Sequence, residues 1–424
     1  MRRPSARLVI GLGVGLGFAA VSPACDDDDR ATSSATTSAS VGGAGGSGGI
    51  GVPSDVYPAP FGEPPQCVDS GGTVLAAPTM IPVVFQGDDP AMVATIVDLA
   101  TKVAPSDYWR ATTEEYGVGP LAIHPTVVIP EQPPAKTSPA QIDAWLRGKL
   151  DADDPSLPAP IDGAIYTLFY PEGVSVEDAS GASCTAYAGY HSSVVLDAAH
   201  GSRSVAYAVI PRCAEFFGRT ELETLTSTTT HELIEAATDP YPATAPAYYD
   251  IDRPHAYWVY VFGGGEVSDM CNLPLDANVT LPGTAYRVQR SWSNVAALAG
   301  RDPCVPTLPG RVYFNASPDL PDDVVVASGV TSRGVRIPEG GTRTIAVRLF
   351  SEAPTAPIKV YPEDWGELTG APKELELTLD EDRGLNGQTL HLTIRVVGTK
   401  PAQLFRLSST EGTQFTGWIG VVGR

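Results

Sequence analysis

The pattern of apolar residues changes near Pro306, and this change predicts two unlike folding units, one on each side of it. Before it, short apolar runs at 81–85, 164–171 and 204–211 are typical of buried strands and alternate with amphipathic helical segments. After Gly310, apolar residues recur at every second position, turn residues separate the runs, and no helical pattern is present. We therefore predict an α/β or α+β domain over residues 66–308, followed by an all-β immunoglobulin-like sandwich over residues 309–424.

The N-terminus has the pattern of an export signal. Three arginines precede an apolar run of about 14 residues, which is too short to span a membrane and is typical of a signal peptide over residues 1–25. The end of this segment resembles a bacterial lipobox, in which Cys25 would carry a lipid; cleavage after Ala24 without lipid is the alternative. Residues 26–65, acidic and then rich in Ser and Gly, are predicted to form a flexible linker. We expect an extracellular, periplasmic or cell-surface protein.

The charge of the chain excludes two classes of partner. Its formal net charge is -21 and its pI is about 4.6, so nucleic acid and anionic membrane surfaces would repel it. A lipid on Cys25 is then the one membrane contact that the sequence suggests.

Export makes disulfide bonds admissible for the five remaining cysteines. The sequence leaves several pairings open, because an odd number of cysteines must leave at least one over. We predict Cys184 with Cys213 and Cys271 with Cys304, since each pair closes a loop of about 30 residues, and this leaves Cys67 free.

Residues 220–240 contain the strongest local helix signal of the chain. Thr220 and Glu223 have the spacing of a capping box, and Pro240 would stop the helix. At 100° per residue, His231 and Glu235 fall on a polar face with Asp239, while Leu222, Leu233 and Ala237 lie across the axis. Three successive threonines lower the helix propensity, so packing must stabilise this helix.

The polar face reads His-Glu-x-x-Glu, a zincin-like pattern. Side chains four residues apart on a helix converge, so His231 and Glu235 can bind one Zn²⁺ ion. Glu232 would then be the general base that takes a proton from the attacking water. The alternative is a solvated helix face with a simple His/Glu pair.

Two further segments could complete such a site. A glycine-rich segment at 263–271 carries Glu266 and Asp269, of which one would be the third metal ligand and the other would orient His231. The spacing does not decide which is which. His191, beside Tyr190, could bind metal or stabilise an oxyanion, and we assign it a catalytic role; the alternative is an ordinary histidine at a strand edge.

Six stretches of the chain, in the same order and at similar spacing, resemble bacterial secreted relatives of the plant EXORDIUM, or phosphate-induced, protein family. They are SDYWRATTEEYGVG (106–119), SCTAYAGYH (183–191), YAVIPRC (207–213), THELIEAATDP (230–240), GGEVSDMC (264–271) and RSWSN (290–294). The resemblance covers residues 72–306 and implies an extracellular protein. The plant members are linked to growth and have no settled enzymatic activity, so the family lends no ligand assignment.

Two hypotheses follow from these residues. The first is a secreted or membrane-tethered, zinc-dependent hydrolase of peptidase-like type, which acts on a peptide or a cell-envelope polymer. The second is a non-catalytic binding protein of the cell envelope, in which the helix is structural and the β module makes the contacts.

Overall fold

A computed structural model describes residues 50–272, 276–327 and 329–424. The predicted signal peptide, Cys25 and the Ser/Gly tract up to residue 49 lie outside the described residues. The described chain is a mixed α/β protein, as the sequence predicts at this coarse level. None of its helices, within these ranges, has the length and apolarity that a membrane crossing needs.

A six-stranded sheet forms the centre of the N-terminal half. Its strands are β1 (Thr79–Phe85), β2 (Ala122–Ile123), β3 (Val127–Ile129), β4 (Ala164–Tyr170), β5 (Tyr190–Val195) and β6 (Ser204–Pro211). The order is β2-β1-β4-β6-β5, and β3 also pairs with β1. All pairs are parallel except β5 with β6. Because β1, β4 and β6 are covered on both faces, their sequences are almost continuously apolar.

Seven α-helices are described. They are α1 (Pro90–Val103), α2 (Asp107–Thr113), α3 (Pro139–Asp151), α4 (Glu221–Thr238), α5 (Val259–Phe262), α6 (Asn294–Leu298) and α7 (Trp365–Leu368). Short 3-10 turns occur at Glu114–Tyr116, Ala198–His200, Arg253–Trp258 and Asp269–Cys271. Ser138 caps α3 as predicted, because its side chain accepts a hydrogen bond from the Gln141 amide.

Short strands connect these elements and build small two- and three-stranded sheets. They are Cys67–Val68, Lys136–Thr137, Ser175–Asp178, Gly181–Ala182, Glu215–Phe216, Arg219–Thr220, Asp250–Ile251, Asn278–Thr280, Arg287–Gln289, Ser291–Trp292 and Cys304–Val305. Both predicted disulfide bonds, Cys184–Cys213 and Cys271–Cys304, are present, and Cys67 is free and buried.

The C-terminal half consists of two sheets. Its strands are β7 (Phe314–Pro318), β8 (Asp322–Ala327), β9 (Val330–Arg336), β10 (Thr342–Ser351), β11 (Ile358–Asp364), β12 (Leu375–Leu379), β13 (Arg383–Gly384), β14 (Thr389–Val396), β15 (Ala402–Glu411) and β16 (Gln414–Gly423). A four-stranded antiparallel sheet has the order β7-β10-β14-β12, and a six-stranded sheet the order β8-β9-β16-β15-β11-β13. Alternating residues of both sheets are buried in a common hydrophobic core, which agrees with the period-two pattern.

Two features of the C-terminal half differ from the sequence prediction. Helix α7 interrupts the strands for one turn, because Asp364 caps it by accepting a hydrogen bond from the Glu367 amide. The predicted linker is also too long at its C-terminal end, since residues 54–65 pack on the β-sheets. Phe61 stacks on Phe350 at a centroid distance of 4.3 Å, and the backbone N–H of Ala59 donates a hydrogen bond to Asn386 Oδ1.

Candidate metal centre

Helix α4 supplies three of the six side chains that the sequence predicts for the site, those of His231, Glu232 and Glu235. Its N-terminus has the predicted capping box, with Thr220 and Glu223 bonding each other's backbone, and Asp239 caps its C-terminus. The helix is almost wholly buried, more so than a two-faced pattern predicts. Its threonines are satisfied inside the protein: Thr226 bonds the backbone of Arg287 on a neighbouring strand. This packing fixes the position of the His-Glu-x-x-Glu turn.

Strand β5 brings His191 to this helix. Gly189, which precedes the strand, lies so close to α4 that an added Cβ would be 2.5 Å from the Thr228 methyl and 3.1 Å from Glu232 Cγ. Only glycine allows this approach. The His191 Nε2 atom then lies 3.1 Å from the carbonyl oxygen of Asp239, and its side chain is 4% exposed.

The glycine-rich segment brings Glu266 and Asp269 from the other side. The Asp269 amide donates to Glu235 Oε1 at 3.2 Å, so the segment is bonded directly to α4. Gly264 leaves the space that the Asp269 carboxylate occupies, because an added Cβ would be 1.6 Å from its Oδ2. Cys271 fixes the end of the segment through its disulfide bond.

Five of the six side chains form two overlapping groups that share Glu235. In the first, His231 Nε2 lies 3.1 Å from Glu235 Oε2 and 3.6 Å from Asp269 Oδ1. In the second, His191 Nδ1 lies 3.7 Å from the same Glu235 oxygen, and His191 Nε2 lies 3.4 Å from Glu266 Oε1. Within each group, the candidate ligand atoms lie within 4.8 Å of one another.

These distances decide between the alternatives that the spacing left open. Asp269 lies beside His231 and is the carboxylate placed to be the third ligand there. Glu266 lies beside His191 instead, with its Oε1 3.4 Å from His191 Nε2. Asp239, predicted on the polar face, contacts His191 through its carbonyl, while its carboxylate accepts from the Ala247 amide.

Glu232 lies at the wall of a cleft of about 410 Å³. Its Oε2 is 3.8 Å from His191 Nδ1, and the residue is 5% exposed. The cleft is lined by Gly189, Tyr190, His191, His231, Glu232, Glu235, Pro242, Ala243, Tyr249, Glu266 and Asp269. Neither Lys nor Arg is among these described lining residues, so carboxylates dominate the charge of the cleft.

Burial and mutual charge shift the pKa values of this cluster. Burial would lower the pKa of His191 and of His231, but the neighbouring carboxylates raise both well above the ordinary histidine value. Burial raises the pKa of Asp269 to about 8, and the charge of Glu235 adds to this shift. Burial opposes ionisation of Glu235, yet the two imidazoles lower its pKa to about 2.

Burial also raises the pKa of Glu266 well above its ordinary value. Its Oε1 atom is buried and has no hydrogen-bond partner among the described residues. Without a cation, the cluster therefore holds bound protons and an unsatisfied oxygen. A divalent ion would displace the protons and bind the oxygen.

Sequence reasoning missed Gly189, one of the two glycines that make room for the cluster, although it lies two residues before His191. The other, Gly264, belongs to the segment whose glycines were expected to allow a close backbone approach. The sequence offered His191 as a metal-binding or a catalytic residue, and in the structure its imidazole lies among the carboxylates of Glu232, Glu235 and Glu266. A third His/Asp group, His200 with Asp151 and Asp197, lies apart on the surface.

Comparisons with known proteins give little support to any assignment. No family model matches the chain, and no curated protein matches it. Among solved structures, a chimeric titin Z1Z2 matches with 17% identity over 26% of this chain and 95% of its own, with a TM-score of 0.16. The titin M3 domain matches with 19% identity over 21% of this chain and 85% of its own, with a TM-score of 0.15. A C. elegans twitchin kinase fragment with immunoglobulin domains matches with 14% identity over 22% of this chain and 18% of its own, with a TM-score of 0.14. TM-scores this low carry no argument about fold or function.

Proposed function

We propose that this protein is an exported, metal-dependent hydrolase of peptidase-like type, related to the EXORDIUM proteins and built on a zincin-like helix. One observation carries the proposal: His231, Glu235 and Asp269 converge from a helix and a distant loop, and Glu232 lies beside them at an open cleft. The C-terminal sheets would form an immunoglobulin-like accessory module. Cys25 would tether the protein to a membrane.

The residues fit a zinc ion by their chemistry. Imidazole nitrogen and carboxylate oxygen are common zinc ligands, and a catalytic site uses three of them and leaves one position open. His231, Glu235 and Asp269 would hold the ion, and their side chains are at most 16% exposed. Four buried carboxylates outnumber the two imidazoles beside them, so a bound cation would lower the cost of burying this charge.

The bound ion would polarise a substrate carbonyl and lower the pKa of a water molecule toward about 7. Glu232 would take the proton from that water as the water oxygen forms a bond to the carbonyl carbon. It would then give the proton to the leaving nitrogen when the C–N bond breaks. The acidic cleft favours a neutral or positively charged substrate, which agrees with a peptide or an amide of the cell envelope and disfavours a phosphoester.

The first experiment measures metal content and turnover in parallel on the full chain. Elemental analysis should find zinc in the wild-type protein, and Glu232→Gln should keep this zinc while it lowers kcat on a peptide library, read by mass spectrometry, about 10²- to 10⁴-fold. His231→Ala should bind less zinc than wild type and lose turnover.

The matched control is Glu215→Gln, which changes an exposed glutamate on a short strand and should leave zinc and kcat at wild-type levels. Less than about a tenth of an equivalent of transition metal in wild type and His231→Ala alike would end the proposal. A Glu232→Gln protein that cleaves at the wild-type rate would remove Glu232 from the mechanism.

A further inference from the structure

Both imidazoles of the cluster lie against one carboxylate oxygen, but they belong to different groups. Glu235 Oε2 is 3.1 Å from His231 Nε2 and 3.7 Å from His191 Nδ1. Ligands of one zinc ion lie about 2.0–2.2 Å from it, and hence within about 4.4 Å of one another. The described residues form one compact group with His191 and another with His231, and none that contains both.

Each group offers the same set of donors. It has one imidazole, the shared Glu235, and one carboxylate of its own, which is Asp269 beside His231 and Glu266 beside His191. Such a set of three leaves room for a water molecule or a substrate oxygen at each ion. The two groups therefore offer the same kinds of donor and are joined by a carboxylate.

Charge balance also favours two ions over one. The cleft wall carries four carboxylates, those of Glu232, Glu235, Glu266 and Asp269, and no Lys or Arg among its described residues. One divalent cation would balance two of these negative charges, and the other two would need bound protons. Two divalent cations would balance all four without bound protons.

We propose that the cleft binds two divalent cations, one at His231, Glu235 and Asp269 and one at His191, Glu235 and Glu266, with Glu235 bridging them. The proposal rests on the metal-dependent function above and goes beyond it in the number of ions and in the role of His191. Imidazole with carboxylate suits Zn²⁺ and Mn²⁺. Paired ions of this kind hold both the attacking and the leaving atom of a displacement.

The test is the stoichiometry of the full chain, stripped with a chelator and titrated with Zn²⁺ under equilibrium dialysis. Wild type should bind two equivalents, and His191→Ala and His231→Ala should each bind one. His200→Ala is the matched control, because it removes a histidine that also lies among aspartates, but on the surface. It should keep two equivalents.

Mn²⁺ gives a second measurement that does not depend on counting or on activity. Two Mn²⁺ ions joined by a carboxylate interact magnetically, so the electron paramagnetic resonance spectrum of the loaded wild type should be that of a coupled pair. His191→Ala should give the separate six-line spectrum of a single ion. Far-ultraviolet circular dichroism of each metal-free variant shows whether it is folded.

The outcomes separate the two proposals. A single equivalent that His231→Ala removes and His191→Ala leaves, with an uncoupled Mn²⁺ spectrum in wild type, would overturn the pair of ions and leave the single-ion hydrolase standing. No bound ion in folded wild-type protein would overturn both. Loss of an equivalent in His200→Ala would also overturn the pair, because one of the two ions would then be on the surface.

Discussion

Gly264 offers the sharpest structural test of how the loop presents Asp269. An added Cβ would lie 1.6 Å from Asp269 Oδ2, so this oxygen must retreat by about 1.8 Å to reach an ordinary contact of 3.4 Å. Metal–ligand bonds tolerate displacements of only about 0.2 Å. We therefore expect Gly264→Ala to weaken zinc binding at least about 10- to 100-fold. The obstacle is mainly the end of a side chain that can rotate, so the metal-free stability should change by less than about 1 kcal/mol.

The assay is zinc affinity by competition with a chromophoric chelator, together with urea unfolding of the metal-free protein. Gly148→Ala is the matched control, because Gly148 lies in α3 with no atom within 4 Å of an added Cβ. It should bind zinc like wild type. The reasoning is refuted if Gly264→Ala binds zinc as tightly as wild type, since Asp269 would then not be a ligand in this position.

Three further predictions concern pH and stability. The pKa of Asp269 is about 8 in the folded protein and about 3.9 unfolded, so metal-free protein should lose stability as pH rises from about 4 to about 8. Thermal melts should show this slope, and Asp269→Asn should flatten it; an equal slope in both would contradict the assignment. Two hydrogen bonds of 2.6 and 2.7 Å join Arg212 to the buried carboxylate of Asp88, and Arg212→Ala leaves this carboxylate without its partner. Urea unfolding should then show a free energy of unfolding lower by about 3–5 kcal/mol. A decrease under about 1 kcal/mol would contradict this expectation. Replacing Cys184 and Cys213 together by Ser opens a loop with a sequence separation of 29. The free energy of unfolding in urea should fall by about 3–4 kcal/mol, because the unfolded chain gains conformational freedom. An unchanged unfolding midpoint would contradict this reasoning.

The local elements were predictable because their signals lie close together in the sequence. The capping box of Thr220 and Glu223 fixes the start of α4, and the buried strands β4 and β6 follow from apolar runs bounded by proline. Both predicted disulfide bonds are also confirmed, and each closes a short loop of the chain.

The assignment of partners within the cluster was not predictable from spacing. It depends on how closely β5 approaches α4, which Gly189 determines, and on the direction from which the loop after α5 returns to the helix. These are long-range contacts that no periodicity encodes. The packing of residues 54–65 was missed for the same reason: Phe61 stacks on Phe350, which lies almost 300 positions later in the chain.

The central claim is that His231, Glu235 and Asp269 hold a metal ion, and anomalous X-ray diffraction at the zinc edge tests it most directly. Crystals of the full chain grown with Zn²⁺ should show an anomalous peak about 2.0–2.2 Å from His231 Nε2, Glu235 Oε2 and Asp269 Oδ1. A well-ordered helix α4 with no peak at these three atoms would contradict the claim.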